Sequence, residues 1–205
     1  SHRAHASVEG ITHFLPAVAG FLMDREEKYL GNAVNDPKRP FAAVLGGAKV
    51  SDKIGVIESF MHKADVILIG GGMANTFLAA QGYNLGKSLI EKENIAIAAK
   101  ILKKAKAKKV KIMLPVDLVT AAAFAADAKH EVDEINKVNP EYMALDIGPK
   151  TAELYAKTLK TMATIVWNGP MGVFEMAPFA NGTKVVADTM AASKGVTVVG
   201  GGDSA

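Results

Sequence analysis

Short, unbroken apolar runs that end in glycine clusters constrain this chain more than any other feature. FAAVL (Phe41–Leu45) is followed by Gly46-Gly47-Ala48-Lys49, and VILI (Val66–Ile69) by Gly70-Gly71-Gly72-Met73. Ile165–Trp167 leads into Asn168-Gly169-Pro170-Met171-Gly172, and Thr197–Val199 into Gly200-Gly201-Gly202-Asp203. Further strand-like runs stand at Val110–Leu114 and Tyr142–Leu145. Runs that are apolar throughout, without polar alternation, are those of parallel strands covered on both faces. Helical patterns fill the intervals at about 51–63, 73–81, 91–109, 149–162 and 178–193. The third opens among Glu91 and Glu93 and closes among lysines, the charge order a helix dipole favours. Alternation of this kind predicts an α/β fold: a doubly wound, Rossmann-like parallel sheet with helices on both faces, a three-layer α/β/α sandwich.

The position of the glycines carries a functional expectation. In an open parallel sheet the carboxyl ends of the strands share one edge, so all four glycine turns should line one crevice. Glycines there let backbone N–H groups approach a ligand closely, and helix N-termini favour anions. The pattern predicts a phosphate or nucleotide crevice. It matches neither G-x-x-x-x-G-K-[ST] nor G-x-G-x-x-G, which counts against a Walker-type site and a dinucleotide-dependent oxidoreductase.

Lys49 and Lys53 lie four apart in the first turn, on one face if a helix starts by Lys49. Two cations at a helix N-terminus oppose its dipole, and a polyphosphate between them would reconcile the arrangement; side chains extended into water are the plainer alternative. Asp52 and Asp203 are candidates for magnesium, a hard cation that takes few carboxylates and several phosphate oxygens, although an N-cap role suits either aspartate alone. Glu175 could accept from a ribose, or be a surface glutamate. Trp167 reads as core; His13 and His62 read as groups without chemistry.

Composition removes other classes. The 205 residues are enough for a sizeable core, and a net charge of +3 is too small to argue for nucleic acid. KILKKAKAKKVK (100–111) reads as the solvated lysine face of a helix and lacks interleaved aromatics for base stacking. No apolar run reaches the roughly 18 residues of a membrane span. SHRAHASVEG does not read as a signal peptide, so a cytoplasmic domain is expected, and Asn181-Gly182-Thr183 is discounted as a glycosylation site. Without cysteine there is no disulfide, zinc-thiolate or cysteine chemistry. Before the first strand, apolar residues from Phe14 to Leu30 form a stripe that predicts one long helix over 12–35, broken at Asn35-Asp36-Pro37.

HRAHAS, LGGAKVSDK, IGGGMANTF, LPVD, LDIGP, IVWNGPMGVFE and VVGGGDSA, in this order, resemble the phosphoglycerate kinase family over essentially the whole chain. That family has an N-terminal domain for 3-phosphoglycerate and a C-terminal domain for Mg-ADP or Mg-ATP, joined by a long helix. The resemblance implies that residues 1–10 end the first domain, 11–36 form the joining helix and 37–205 form the nucleotide domain, lacking its C-terminal part. It implies a monomeric parent that converts 1,3-bisphosphoglycerate and ADP to 3-phosphoglycerate and ATP.

By the same resemblance, Lys53 holds nucleotide phosphate and Lys49 stabilises the phosphoryl group in flight, which suits a reaction catalysed by positioning and charge neutralisation. Asp203 would bind magnesium, with Asp52, Gly201, Gly202 and Ser204 near the phosphates. Asn168 would contact phosphate and Glu175 the ribose. Gly47, Gly71, Gly72, Leu89, Leu145, Pro170 and Val173 would form the adenine slot. His2, Arg3 and His5 would belong to the basic patch on the phosphoglycerate side. Several family features lie outside these residues: the other phosphoglycerate-binding basic residues, an STGGGAS-like segment and the terminal helices. The expectation is therefore a piece that does not turn over alone; a non-catalytic nucleotide-binding or folding domain is the alternative.

Overall fold

A computed structural model describes residues 5–202. Two compact units meet in sequence between Asn32 and Ala33. The long helix predicted over 12–35 is interrupted. A 3-10 turn at Gly10–His13 is followed by α1, which begins only at Phe21 and runs to Asn35. Pro16 and Gly20 explain the interruption, because proline lacks an N–H and disfavours helix in the residue before it, and glycine is a poor helix former.

The second unit is built on a parallel sheet of five strands: β1 (Phe41–Leu45), β2 (Val66–Ile69), β3 (Lys111–Met113), β7 (Thr164–Asn168) and β8 (Val196–Gly200). Their spatial order is β3-β2-β1-β7-β8, and every pairing is parallel. The alternation of side chains along β1 shows why its run is apolar throughout. Phe41, Ala43 and Leu45 join a cluster with residues of α2 (Ile54–Phe60), α3 (Gly72–Ala80) and α4 (Ile95–Ala107). Ala42 and Val44 join the opposite cluster with α5 (Pro149–Leu159) and α6 (Asn181–Ala191). These are the three layers the sequence predicts.

One expectation fails. Tyr142–Leu145 was expected as a strand of the parallel sheet, but the observed β6 (Met143–Ile147) lies in a separate antiparallel sheet of order β5-β4-β6. Its partners β4 (Asp117–Ala121) and β5 (His130–Glu134) are absent from the predicted strands. β5 reads HEVDE and is mostly exposed, so it lacks the apolar continuity on which the strand assignment relied. The small sheet packs around Val119, Ala121, Leu145 and Phe179.

Chain order fixes where a ligand can enter. From β1 the chain steps outward to β2 and β3, then returns to lay β7 against the other side of β1. The β1/β7 junction is thus the topological switch point, where loops diverge to opposite faces and leave a crevice at the strands' carboxyl ends.

Candidate nucleotide site

At that junction the glycine turns are bonded to one another. Gly46 N–H donates to Asn168 O at 2.9 Å and Gly47 N–H to Pro170 O at 3.1 Å. Gly71 N–H donates to Met171 O at 2.8 Å, and Met73 N–H returns to Gly47 O at 2.9 Å. Gly71 adopts φ +68°, and a Cβ there would lie 2.7 Å from Gly47 N, so side chains are excluded both by conformation and by the neighbouring turn. The first three turns form one backbone lattice. In the fourth, Gly200 pairs with Asn168 of the third.

Beside the lattice opens a cavity of about 450 Å3, within the range of small-molecule sites. The turns contribute Gly47, Ala48, Gly71, Gly72 and Pro170, and Asn75 of α3 stands among them. Leu89 and Val173 add apolar surface, and Glu175 stands exposed among the lining residues. The small sheet supplies the remaining wall through Leu118, Leu145 and Asp146, and the loop between β4 and β5 adds Phe124. All seven residues expected for an adenine slot therefore line one cavity, although they come from five separate stretches of sequence.

Phe124, Asn75 and Asp146 are lining residues that sequence reasoning did not single out. Phe124 sits in the loop joining the two unpredicted strands. Asp146 is 3% exposed and accepts Ile147 N–H and Gly182 N–H, each at 2.8 Å. Burial pushes its carboxyl up to about 7, against the weaker opposing pull of those two N–H groups. Its place in LDIGP, within a motif that carried the resemblance, was the available signal.

A polar edge adjoins the cavity. Lys53 Nζ donates to Asn168 Oδ1, joining the first glycine turn to the third. Lys49 is exposed and free of hydrogen bonds among the described residues. The two lysines do not share a helix face, because α2 starts only at Ile54 and Lys53 is its N-cap residue. Asp52 is exposed, and no side-chain hydrogen bond caps α2, so the N-cap role open to it is not used. Gly201 adopts φ +92°, and a Cβ there would lie 3.8 Å from Asn168 Nδ2; Gly202 is exposed.

Asp203, Ser204, His2 and Arg3 lie outside the described residues. His5, in the first unit, is exposed and its Nδ1 shares a hydrogen bond with Ser7 Oγ at 2.7 Å. Trp167 is core, as expected, and its Nε1 donates to Gly169 O at 2.7 Å.

The family model of phosphoglycerate kinase matches residues 1–205. The chain belongs to the phosphoglycerate kinase family. It is 57% identical over 204 residues to the phosphoglycerate kinase of Moorella thermoacetica, and 54% over 207 residues to that of Chloroflexus aggregans. Each match covers 100% of this chain and 52% of the relative. Among solved structures, the phosphoglycerate kinase of Coxiella burnetii superposes with a TM-score of 0.91 at 44% identity, over 99% of this chain and 53% of that one. The Pyrococcus horikoshii OT3 enzyme gives 0.76 at 34% identity, over 99% and 52%. The chain thus spans about half the length of the phosphoglycerate kinases it matches. These likenesses give it the α/β fold of that family. No helix among the described residues is long and apolar enough to cross a membrane.

Proposed function

We propose that residues 37–205 bind ADP or ATP, and that with the rest of a phosphoglycerate kinase they transfer phosphate between 1,3-bisphosphoglycerate and ADP. The observation that carries this reading is a mostly apolar cavity at the sheet's switch point with the Lys53–Asn168 pair on its rim. A planar base suits the space between the glycine lattice and Leu89, Leu145 and Val173, with Glu175 toward the ribose. Phosphates directed along the rim would meet Lys53 and Asn168, with Asp52, Gly201, Gly202 and Ser204 close by.

In the reaction the terminal oxygen of the ADP β-phosphate attacks the acyl phosphate, whose carboxylate leaves. The lysines have no covalent part: Lys53 holds nucleotide phosphate, and Lys49 neutralises charge on the phosphoryl group as it passes. Among the described residues there is no group of three or more acidic or histidine side chains able to hold a metal. Magnesium is commonly held by one or two carboxylates and by substrate phosphates. Asp203 would supply the carboxylate, and the bound ion would neutralise phosphate charge.

The remaining assignments rest on the family resemblance. His2, Arg3 and His5 belong to the phosphoglycerate side, residues 11–36 join the two domains, and the enzyme is a cytoplasmic monomer. The 205 residues alone bind nucleotide weakly and do not turn over, since other substrate-binding basic residues of the family lie outside them. The test is titration of the chain with Mg-ADP and with NAD, followed by Trp167 fluorescence and backbone amide shifts. ADP-specific shifts at Gly46–Lys53 and Gly70–Gly72 are expected. Equal response to NAD, or silence toward both, would overturn the binding assignment; a coupled assay giving ATP at full-length rates would overturn the inactivity.

A further inference from the structure

Between the end of β1 at Leu45 and the start of α2 at Ile54 the chain has no regular structure, yet this is where Lys49 stands. Both ends of the connection are fixed. Gly46 and Gly47 are bonded to the third glycine turn, Lys53 N–H donates to Val50 O at 2.9 Å, and the Lys53 side chain reaches Asn168. In the middle, Ala48, Lys49, Ser51 and Asp52 are exposed, whereas Val50 is fully buried. One carboxylate holds that middle. Glu91, 9% exposed, accepts Val50 N–H at 2.5 Å, Ser51 N–H at 3.0 Å and Ser51 Oγ–H at 2.6 Å, across 40 and 41 positions of sequence.

The sequence suggests a different use for Glu91, as an acid in the first turn of a helix. The helix α4 begins later, at Ile95, and the carboxylate is turned to the loop. Its own N–H is fixed by Thr76 Oγ1 of α3 at 3.1 Å. Burial alone would push the Glu91 carboxyl up, but donors from Ser51, Val50 and Asn94 outweigh it and hold the group below its ordinary range. Glu91 is therefore ionised at neutral pH. Two residues earlier, Leu89 lines the cavity, and its carbonyl accepts Asn75 Nδ2 at 3.3 Å. One short segment thus has its first residue in the cavity wall and its last beneath the lysine loop.

We propose that Glu91 is a positioning residue for Lys49: it pins the two residues that follow the lysine, so that the ammonium is presented to the terminal phosphate of a nucleotide whose base lies against Leu89. The inference rests on the nucleotide reading above. The carboxylate acts on the loop and not on the base cavity, so its loss should be felt by phosphates and not by the nucleoside. Glutamine in its place keeps the shape but offers a single good acceptor and turns an NH2 group toward donors.

The test uses the 205-residue chain with Glu91→Gln, Lys49→Ala and both together, titrated calorimetrically with Mg-ATP and with adenosine. Glu91→Gln should raise the Mg-ATP Kd about tenfold, leave adenosine unchanged within twofold, and have no effect once Lys49 is alanine. Amide hydrogen exchange at Val50 and Ser51 should quicken while β1 and β7 keep their protection. Equal weakening of both ligands, a full effect persisting in the Lys49→Ala background, or unchanged exchange at Val50 and Ser51 would each overturn the proposal. If the unsubstituted chain binds neither ligand, the nucleotide reading fails and takes the inference with it.

Discussion

Asp146, at the end of β6, receives the N–H of Gly182, near the start of α6, at 2.8 Å across 36 positions of sequence. The contact is close on a second side: a Cβ on Gly172 would lie 2.2 Å from Asp146 Oδ1. One buried carboxylate therefore joins the small sheet, the third glycine turn and a helix N-terminus beneath the cavity. Its preference for the protonated state has a definite sign. The folded chain keeps the proton up to about pH 7, whereas an unfolded aspartate releases it near 3.8. Between those values the folded state binds more protons, so this group's contribution to stability is fully present below about pH 4 and is lost as pH rises through 7. Urea unfolding of Asp146→Asn beside the unsubstituted chain should show the stability difference shifting toward the variant by on the order of 4 kcal/mol from pH 4 to pH 8. A pH-independent difference would mean that the carboxyl is ionised throughout.

The packing against Asp146 makes Gly172→Ala a probe of the same joint. The alanine methyl must displace a carboxylate whose two oxygens are already engaged, so loss of about 1–3 kcal/mol is expected. Thermal unfolding of the chain measures it. A neutral effect would show that the 169–173 turn can move away from β6.

Lys53 and Asn168 should act together on phosphate. Lys53→Met removes a charged donor from the rim without opening the core, and is expected to weaken Mg-ADP about 10- to 100-fold. Asn168→Ala frees the ammonium and should cost less than the lysine change. If Asn168→Ala proved the more damaging, the amide itself would be the main phosphate contact.

Asp117, in the LPVD motif, caps α5 from a distant strand. Its carboxylate accepts Lys150 N–H at 3.0 Å, Thr151 N–H at 2.8 Å and Thr151 Oγ–H at 2.6 Å while remaining 1% exposed. Asp117→Ala removes the acceptor of the buried Thr151 N–H and of the part-buried Lys150 N–H, while Thr151 Oγ–H keeps Asp117 O at 3.1 Å, and should lower stability by about 2–4 kcal/mol, read from the denaturation midpoint. Nucleotide affinity of the folded fraction should change little, since Asp117 is outside the cavity lining.

Much of this arrangement was legible from residue order. The glycine clusters after Leu45, Ile69 and Trp167 marked the carboxyl edge of the sheet, because only residues without a Cβ let the three turns bond to each other. Apolar runs marked β1, β2 and β7, which are buried, but β8, read from the same kind of run, has Thr197 and Val199 exposed. The antiparallel sheet was not legible: β5 is exposed and charged, and β4 reads only as a stretch ending LPVDLVTA. Pro16 carried its message, but the apolar stripe around it suggested a continuous helix.

Sequence by itself determined the three-layer class, the edge on which chemistry would fall and, through the kinase motifs, the family. Tertiary structure alone decided that the first three glycine turns bond to one another, that the small sheet walls the cavity, and that Glu91 and Asp146 are buried carboxylates with partners about 40 positions away. The physical reason is range. Periodicity and turn chemistry report on neighbours within a few residues, whereas the acceptor of a buried N–H is chosen by whichever chain segment packs beside it.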